Sequence, residues 1–240
     1  MRVIIYAAGV SRRLKSIVGN GLKGLLQMGG KRLIEYQLDW ISEHGISDVV
    51  IVLGLEHELY KEVLGSSYKD TEITYVYNPD YRDKGNMLSL WYAREYCDTD
   101  TIFTTSDLVC NYDDINKFVN SPAADKILVD SKSTELFHDP DPVKVSILDG
   151  KITNIKKQNK ELNTIDGVAI GLYKFSSSGI RSIIASIEQK IDAGNDDLSL
   201  YYAIDNVLKM RDVVPVYAEI CQWADVDTPE DLVIAKNLMY

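Results

Sequence analysis

The first half of the chain alternates between hydrophobic runs typical of buried strands and segments with apolar residues at helical spacing. Four runs rich in β-branched and aromatic residues predict strands. These strands cover residues 2–7, 48–53, 73–77 and 101–105. The segments between them predict amphipathic helices. These helices cover residues 31–43, 56–64 and 86–96. The order β-α-β-α-β-α-β predicts a largely parallel sheet with helices on both faces.

The second half has a less regular pattern. Asp149-Gly150 separates two alternating runs, 143–148 and 151–156, which predicts a β-hairpin. Further strands are predicted over 167–175 and 213–220, and further helices over 177–190 and 198–210. Thr228, followed by Pro229 and two acidic residues, has the pattern of a capped start of a last helix.

These elements predict an α/β fold of one domain. We expect a three-layer sandwich with a mainly parallel mixed sheet and a small β-hairpin lid. The single domain covers residues 1–240, and the lid region covers about 121–163.

Composition narrows the class of protein. The chain has 240 residues, 45% of them hydrophobic, which is ample for a sizeable core. The net charge of −10 argues against a nucleic-acid partner. No apolar run is long enough for membrane insertion, so we expect a cytoplasmic protein. The three cysteines form no CxxC pair, so reduced thiols are expected. They are Cys97, Cys110 and Cys221.

The charges are distributed unevenly along the chain. Seven basic residues and no acidic residue precede Glu35, so the remaining chain has 19 basic and 36 acidic residues, a net charge of −17. An acidic protein with this N-terminal segment has a place to receive an anion, although a chance cluster on a solvated surface would look the same.

The loop after the first strand has the composition of a phosphate-binding loop. Ala7, Ala8 and Gly9 let backbone N–H groups approach phosphate oxygens, and Arg12 and Arg13 can add bidentate hydrogen bonds. Ser11 lies between them. The segment has neither the GxGxxG pattern of dinucleotide-binding folds nor the P-loop pattern, so it predicts a triphosphate site of another type.

Four charged residues elsewhere complete a candidate site. Lys23 could stabilise charge on the α-phosphate, and Asp107, directly after a strand, could hold a hard cation. Asp225 and Asp227 follow another strand and precede a helix, so they could reach the same metal ion. Each acid taken alone could also be a turn or capping residue, Asp227 in particular.

These segments together resemble the nucleotidyltransferase superfamily. The resemblance rests on the N-terminal loop, Lys23 with the Gly-Gly-Lys-x-Leu-Ile-Glu-Tyr-Gln stretch at 29–37, Asp107, and the Trp-x-Asp-x-Asp segment at 223–227. The family loop usually has a second glycine where Ser11 stands, and a proline where Leu22 precedes the lysine. The segments at 77–81 and 85–91 are similar to the LicC-type small cytidylyltransferases.

The resemblance implies a Rossmann-like fold. It also implies a Mg²⁺-dependent enzyme that transfers CMP from CTP to a small phosphorylated acceptor and releases pyrophosphate. Catalytic roles are implied for Lys23, Arg13 and Lys156, with Lys157 as an alternative to Lys156. Mg²⁺ ligands are implied at Asp107, Asp225 and Asp227. Nucleotide contacts are implied at Ala7, Ala8, Gly9, Ser11, Arg12, Asn78, Gly85, Asn86, Ser89 and Asp107. A homodimer is a further possibility, since dimers are common in the superfamily.

The acceptor is less well defined. The predicted lid region at about 121–163 is also the predicted acceptor-binding region, and its short length favours a small acceptor molecule over a hexose. Phosphoglutamine, phosphocholine and a phosphonate are the leading candidates. A cluster of aromatic residues could hold a quaternary ammonium or simply pack as one face. The cluster comprises Tyr75, Tyr77, Tyr81, Trp91 and Tyr92. The loop at 139–142 could offer carboxylates to an amino group or form a rigid turn.

Other functions remain open from sequence. One is a hexose-1-phosphate nucleotidyltransferase that uses UTP or dTTP. Another is a non-catalytic nucleotide-binding sensor, although a sensor needs no acids for a catalytic metal. An NAD-binding protein is disfavoured by the missing glycine pattern.

Overall fold

The β-branched runs are buried in one mixed sheet. The computed structural model describes residues 1–9, 14, 22–157, 162 and 164–238. The strands in this part of the chain are β1 (Arg2–Ala7), β2 (Gln27–Met28), β3 (Lys31–Arg32), β4 (Asp48–Leu53), β5 (Ser67–Tyr68), β6 (Thr71–Tyr77), β7 (Thr101–Thr105), β8 (Leu108–Cys110), β9 (Lys126–Asp130), β10 (Val143–Leu148), β11 (Lys151–Lys156), β12 (Gly167–Phe175), β13 (Val214–Tyr217) and β14 (Trp223–Asp225).

Helices cover both faces of the sheet. The α-helices are α1 (Leu33–Glu43), α2 (His57–Leu64), α3 (Met87–Tyr92), α4 (Tyr112–Asn120), α5 (Ser177–Asp192), α6 (Leu200–Leu208) and α7 (Pro229–Leu238). Short 3-10 helices cover Lys23–Leu25, Arg94–Tyr96 and Thr134–Phe137. In the described part of the chain, no helix is long and apolar enough to span a lipid bilayer.

The centre of the sheet is parallel, as predicted from the order of elements along the chain. β1 lies between β4 and β7, parallel to both, and β6 adds to β4 in parallel. The chain therefore builds outward from β1 through β4 to β6 and then returns to the other side of β1 with β7. Ligands of open α/β sheets bind at such a reversal, beyond the carboxyl ends of the strands.

The predicted hairpin exists with the predicted bounds, but it is not a lid beside the sheet. β10 pairs with β12, and β12 pairs with β7, so β10 and β11 continue the central sheet. Within the region predicted as the lid, β9 is buried along its whole length and pairs with β12 and β13. The lid prediction is corrected accordingly: much of 121–163 belongs to the core.

The nine residues of β12 serve three neighbouring strands because the strand is interrupted. Its register against β9 shifts between Ala169 and Tyr173, and Gly171 in this interval has φ +98°. Other residues rarely adopt this backbone conformation, so the glycine permits the bulge that bends the strand.

The core has two large parts, one on each face of the sheet. One contains the apolar sides of α1, α2 and α4, and the other contains those of α3, α5 and α6. This arrangement confirms the three-layer α/β sandwich. A third, smaller cluster joins β8, β14 and α7.

Candidate active site

A cavity of about 730 Å³ opens at the carboxyl ends of β1 and β7. Tyr6 and Thr105, paired across these two strands, line it together with Asp107. Its volume lies within the range of small-molecule sites. If the site residues predicted from sequence act together, they should border this cavity.

Lys23, Asp107 and Asp227 meet at one end of the cavity. The Lys23 ammonium contacts Asp107 Oδ2 and lies 2.6 Å from Asp227 Oδ1. Burial disfavours the charged ammonium, but the two carboxylates outweigh it and raise the pKa of Lys23. The structure thus brings together three residues that are separated by as many as 204 positions in sequence.

Asp225, the last residue of β14, joins this cluster. β8 and β14 form an antiparallel pair that places Asp225 opposite Leu108, the residue after Asp107. The Asp225 side chain is densely surrounded by protein, yet it still reaches the solvent of the cavity. Desolvation and repulsion by Asp107 raise its pKa, while Lys23 and the Thr105 hydroxyl, 3.4 Å away, oppose the shift.

Local packing explains why these side chains meet. A Cβ added to Gly24 would lie 2.5 Å from the Tyr60 hydroxyl, so glycine lets the Lys23 turn approach the end of β7. Thr228 and Asp231 cap α7: Asp231 N donates to Thr228 Oγ1, and Thr228 N donates to Asp231 Oδ2. Helix capping is therefore performed by these two residues, and the Asp227 carboxylate turns to Lys23.

The acids at this end suit a hard cation. Asp107 Oδ1 is buried and has no hydrogen-bond partner among the described residues, so one carboxylate oxygen faces the cluster unsatisfied. The described residues contain no group of three or more His, Cys, Asp or Glu placed to enclose a metal ion. Mg²⁺ commonly uses one or two carboxylates together with water and substrate phosphates, and Asp107 with Asp225 or Asp227 fits that pattern.

The opposite wall of the cavity carries further acids. Glu135, Asp139 and Asp141 line it, and Lys157 donates to Asp141 Oδ1 at 2.7 Å. Among the described lining residues, seven are acidic and Lys157 alone is basic. The 139–142 loop thus borders the cavity, which is necessary if its carboxylates are to bind an amino group.

The aromatic residues of the cavity are not those considered from sequence. None of the cluster at 75–92 lines it. Its aromatic lining comprises Tyr6, Phe103, Tyr173, Tyr201 and Trp223. The Phe103 and Tyr173 rings stack with centroids 5.5 Å apart. The Tyr6 hydroxyl is buried without a partner among the described residues, which leaves a polar atom for a ligand to satisfy.

Among the predicted nucleotide contacts that the structure describes, Asn86 and Asp107 line the cavity and the others do not. Asn86 Oδ1 accepts from Leu200 N at 2.9 Å. Asn78 and Ser89 are buried, and the Asn78 amide donates to Ser89 Oγ at 3.2 Å. Gly85 touches the backbone of Leu198 so closely that an added Cβ would lie 2.0 Å from its carbonyl oxygen.

The N-terminal loop is only partly described. Ala7 and Ala8 are buried and Gly9 is exposed, at the same sheet edge as Asp107. Ser11, Arg12 and Arg13 lie outside the described residues, so their predicted roles stay predictions.

Lys156 is placed away from the cavity lining. Its ammonium lies 2.8 Å from Asp205 Oδ2 and faces α6, on the opposite side of the strand from Lys157. Alternation along β11 separates the two lysines, and the alternative residue, Lys157, is the one that borders the cavity.

Several lining residues were not predicted as site residues. Ser133 and Glu135 follow β9, a strand that the sequence pattern did not reveal, and Tyr173 belongs to a strand predicted only as core. Trp223 stands in the Trp-x-Asp-x-Asp segment, where its position next to Asp225 was a usable signal.

Comparison with known proteins identifies the class. Residues 3–139 match the model of the MobA-like NTP transferase domain, so the chain belongs to this nucleotidyltransferase family. The choline-phosphate cytidylyltransferase of Streptococcus pneumoniae is 37% identical over 95 residues, 40% of each chain. The CTP:phosphoglutamine cytidylyltransferase of Campylobacter jejuni is 27% identical over 201 residues, 78% of each chain.

The fold is also that of solved nucleotidyltransferases. The structure of the CTP:phosphocholine cytidylyltransferase from Streptococcus pneumoniae superimposes with a TM-score of 0.78 at 20% identity, covering 100% of this chain and 99% of that one. The sequence alignments span half or less of the length of three curated relatives.

Proposed function

We propose that this protein is a cytidylyltransferase that transfers CMP from CTP to a small phosphorylated acceptor with Mg²⁺. The observation that carries the proposal is the meeting of Lys23, Asp107, Asp225 and Asp227 at one end of a cavity beyond β1 and β7. The choice of CTP draws on the relatives whose names specify cytidylyl transfer.

The reaction needs positioning and charge neutralisation more than acid–base chemistry. An acceptor phosphate oxygen attacks the α-phosphorus of CTP, a new P–O bond forms, and the bond from the α-phosphorus to the bridging oxygen breaks as pyrophosphate leaves. The acceptor phosphate is already a competent nucleophile, so no general base is required. Lys23 and Arg13 would balance charge on the triphosphate.

Mg²⁺, held by Asp107 with Asp225 or Asp227, would supply positive charge beside the phosphate oxygens. Binding of a metal nucleotide would replace contacts that Lys23 now makes with Asp107 and Asp227. The lysine, released from these carboxylates, would then be free to pair with phosphate oxygens.

The acids on the far wall suit an acceptor with a positively charged end. Glu135, Asp139 and Asp141 create a negative potential that attracts an ammonium group. Carboxylates also accept hydrogen bonds from hydroxyl groups, so a sugar phosphate is the second candidate acceptor. On this wall the three acids outnumber Lys157, the basic residue among the described lining residues, which favours the cationic acceptor.

The test is pyrophosphate release from CTP, UTP, ATP, GTP and dTTP, each combined with phosphocholine, phosphoethanolamine, phosphoglutamine, aminoethylphosphonate and hexose-1-phosphates. We expect release with CTP and an amine- or amide-bearing acceptor. Glu135→Gln should raise the KM for a cationic acceptor, whereas Asp212→Asn, an exposed acid paired with Lys151, should not. Release with UTP or dTTP and a hexose phosphate alone would contradict the proposed substrates.

A further inference from the structure

Asp130 lies behind the cavity wall and is fully buried at the end of β9. It is not among the residues that line the cavity. Its carboxylate accepts four hydrogen bonds, which outweigh burial and hold its pKa below the ordinary value. A buried acid of this kind needs a structural reason, because unpaired it would be strongly destabilising.

The four bonds join two separate walls of the site. Oδ1 accepts from the backbone N–H groups of Lys132 and Ser133, at 2.9 and 3.1 Å. Oδ2 accepts from the Ser133 hydroxyl at 2.7 Å and from the Trp223 indole N–H at 3.0 Å. One oxygen therefore orders the turn after β9, and the other oxygen connects that turn to β14.

Both connected segments carry cavity residues. Ser133 precedes the 3-10 helix Thr134–Phe137, which presents Glu135 to the cavity. Trp223 lines the cavity itself and stands two residues before Asp225 on β14. One buried carboxylate thus connects the acid-rich wall to the strand of Asp225.

We propose that Asp130 is a positioning residue that fixes the acceptor-binding wall relative to the strand carrying Asp225. The proposal rests on the proposed function, since it assigns the far wall to the acceptor. Misplacing a substrate by about 1 Å can cost on the order of a hundredfold in rate, so such a link has kinetic consequences.

Asp130→Asn tests the link selectively. The amide oxygen can still accept from the backbone N–H groups of residues 132 and 133, while the NH₂ group meets the Trp223 N–H as a second donor. We expect kcat/KM for the acceptor to fall roughly ten- to a hundredfold, with the KM for CTP near its wild-type value. Unchanged acceptor kinetics, or an equal rise in both KM values, would overturn the proposal.

The double variant Asp130→Asn/Trp223→Phe separates the link from general destabilisation. If Asp130 acts through Trp223, the double variant loses no more activity than the more damaged single variant. If the fold-loss in the double variant equals the product of the two single fold-losses, Asp130 acts independently of Trp223, and the proposal would be overturned.

Asp125 provides a matched control at the opposite end of β9. It is also buried and accepts from Ser176 N at 2.7 Å and from Arg211 Nε at 2.8 Å, and none of these residues lines the cavity. Asp125→Asn should lower Tm without changing the acceptor KM. A rise in acceptor KM like that of Asp130→Asn would show that any buried acid on β9 has this effect and would overturn the proposal.

A readout independent of activity distinguishes this proposal from the proposed function. The Trp223 indole N–H should exchange slowly with solvent in the wild-type protein and faster in Asp130→Asn, measured by ¹⁵N–¹H NMR. Absence of nucleotidyl transfer by the wild type would overturn the proposed function. Equal exchange rates in the two proteins would overturn the Asp130–Trp223 link.

Discussion

Single residues at the end of the cavity determine which ligand charge it can accept. Asp107, Asp225 and Asp227 present carboxylates to one region, and Lys23 is the cation that the structure places among them. This balance suits a ligand that brings both a metal cation and an anionic phosphate chain, because each can take over one partner of the existing ion pairs.

Asp107→Asn is the most informative substitution at this scale. We expect turnover to fall roughly a hundred- to a thousandfold, as for removal of a group that stabilises transition-state charge. The fold should persist, because Lys23 keeps Asp227 as an ion-pair partner and the repulsion between Asp107 and Asp225 is removed. Steady-state kinetics and circular dichroism measure the two effects.

The control for this substitution is Asp100→Asn. Asp100 precedes β7 as Asp107 follows it, and its carboxylate accepts from Ser177 N at 3.0 Å, away from the cavity. We expect its turnover to match that of the wild type. Equal activity of Asp107→Asn and Asp100→Asn would remove Asp107 from the reaction.

Lys23→Met tests whether the acids bind a cation. Without the ammonium, the repulsion between the three carboxylates is unopposed. We expect the free energy of unfolding to fall by about 1–3 kcal/mol, less than for a fully buried ion pair because solvent screens the cluster. Mg²⁺ should raise Tm more in this variant than in the wild type. Thermal unfolding with and without Mg²⁺ measures this, with Lys84→Met, an exposed partner of Asp196, as the control. Equal Mg²⁺ effects in all three proteins would contradict a metal site here.

Residue types were easier to predict than their orientation. Lys23, Asp107, Asp225 and Asp227 were selected from sequence, and the structure brings them together. The choice between Lys156 and its neighbour depended on strand alternation at a hairpin end, where a one-residue shift exchanges the two faces.

At the scale of elements, the site depends on loops that pack closely against one another. Gly85 and Asn86 precede α3. Gly85 contacts Leu198, just before α6, and Asn86 contacts Leu200, the first residue of α6. This contact fixes the start of α3 beside the cavity. The same contact explains the glycine at residue 85, because the backbone of Leu198 leaves no space there for a side chain.

Gly85→Ala should therefore disturb both stability and the site. The added Cβ would lie 2.0 Å from the Leu198 carbonyl oxygen. We expect this overpacking to lower the free energy of unfolding by about 1–3 kcal/mol. The KM for the nucleotide should rise. Chemical denaturation and kinetics measure these changes.

Gly194→Ala separates the contact from the loss of glycine itself. Gly194 has φ +75° and no atom within 4 Å of an added Cβ. Gly194→Ala should therefore lower the free energy of unfolding by about 1 kcal/mol and leave the KM for the nucleotide unchanged. A Gly85→Ala protein as stable as Gly194→Ala, with wild-type KM, would contradict the role of this contact.

The elements that sequence predicted well are those with a long periodic pattern. β1, β4, β7, β12 and the hairpin were predicted with their observed bounds. β8 and β14 have three residues each, too few to show a period, although their pairing positions Asp225. β9 carries Lys126 and Asp130 at its ends, so its apolar stretch alone is short, and its place in the core depends on contacts with β12 and β13.

At the scale of the whole molecule, the strand order explains why the chemistry lies where it does. The reversal of chain direction around β1 brings the ends of β1 and β7 together, and β14 returns from the C-terminal part of the chain to the same edge. Residues from both halves of the sequence therefore share one cavity. The wall that we propose binds the acceptor comes from the region predicted as a lid, and the buried β9 in this region is part of the core.

The transfer of the CMP group itself is the most direct test of the proposed function. The wild-type protein would be incubated with Mg²⁺ and an acceptor, using CTP labelled either at the α- or at the γ-phosphorus. We predict that the α-label appears in the acceptor product and the γ-label in pyrophosphate, and that Asp107→Asn forms neither. Transfer of the γ-label to the acceptor, or release of both labels without a joined product, would contradict nucleotidyl transfer.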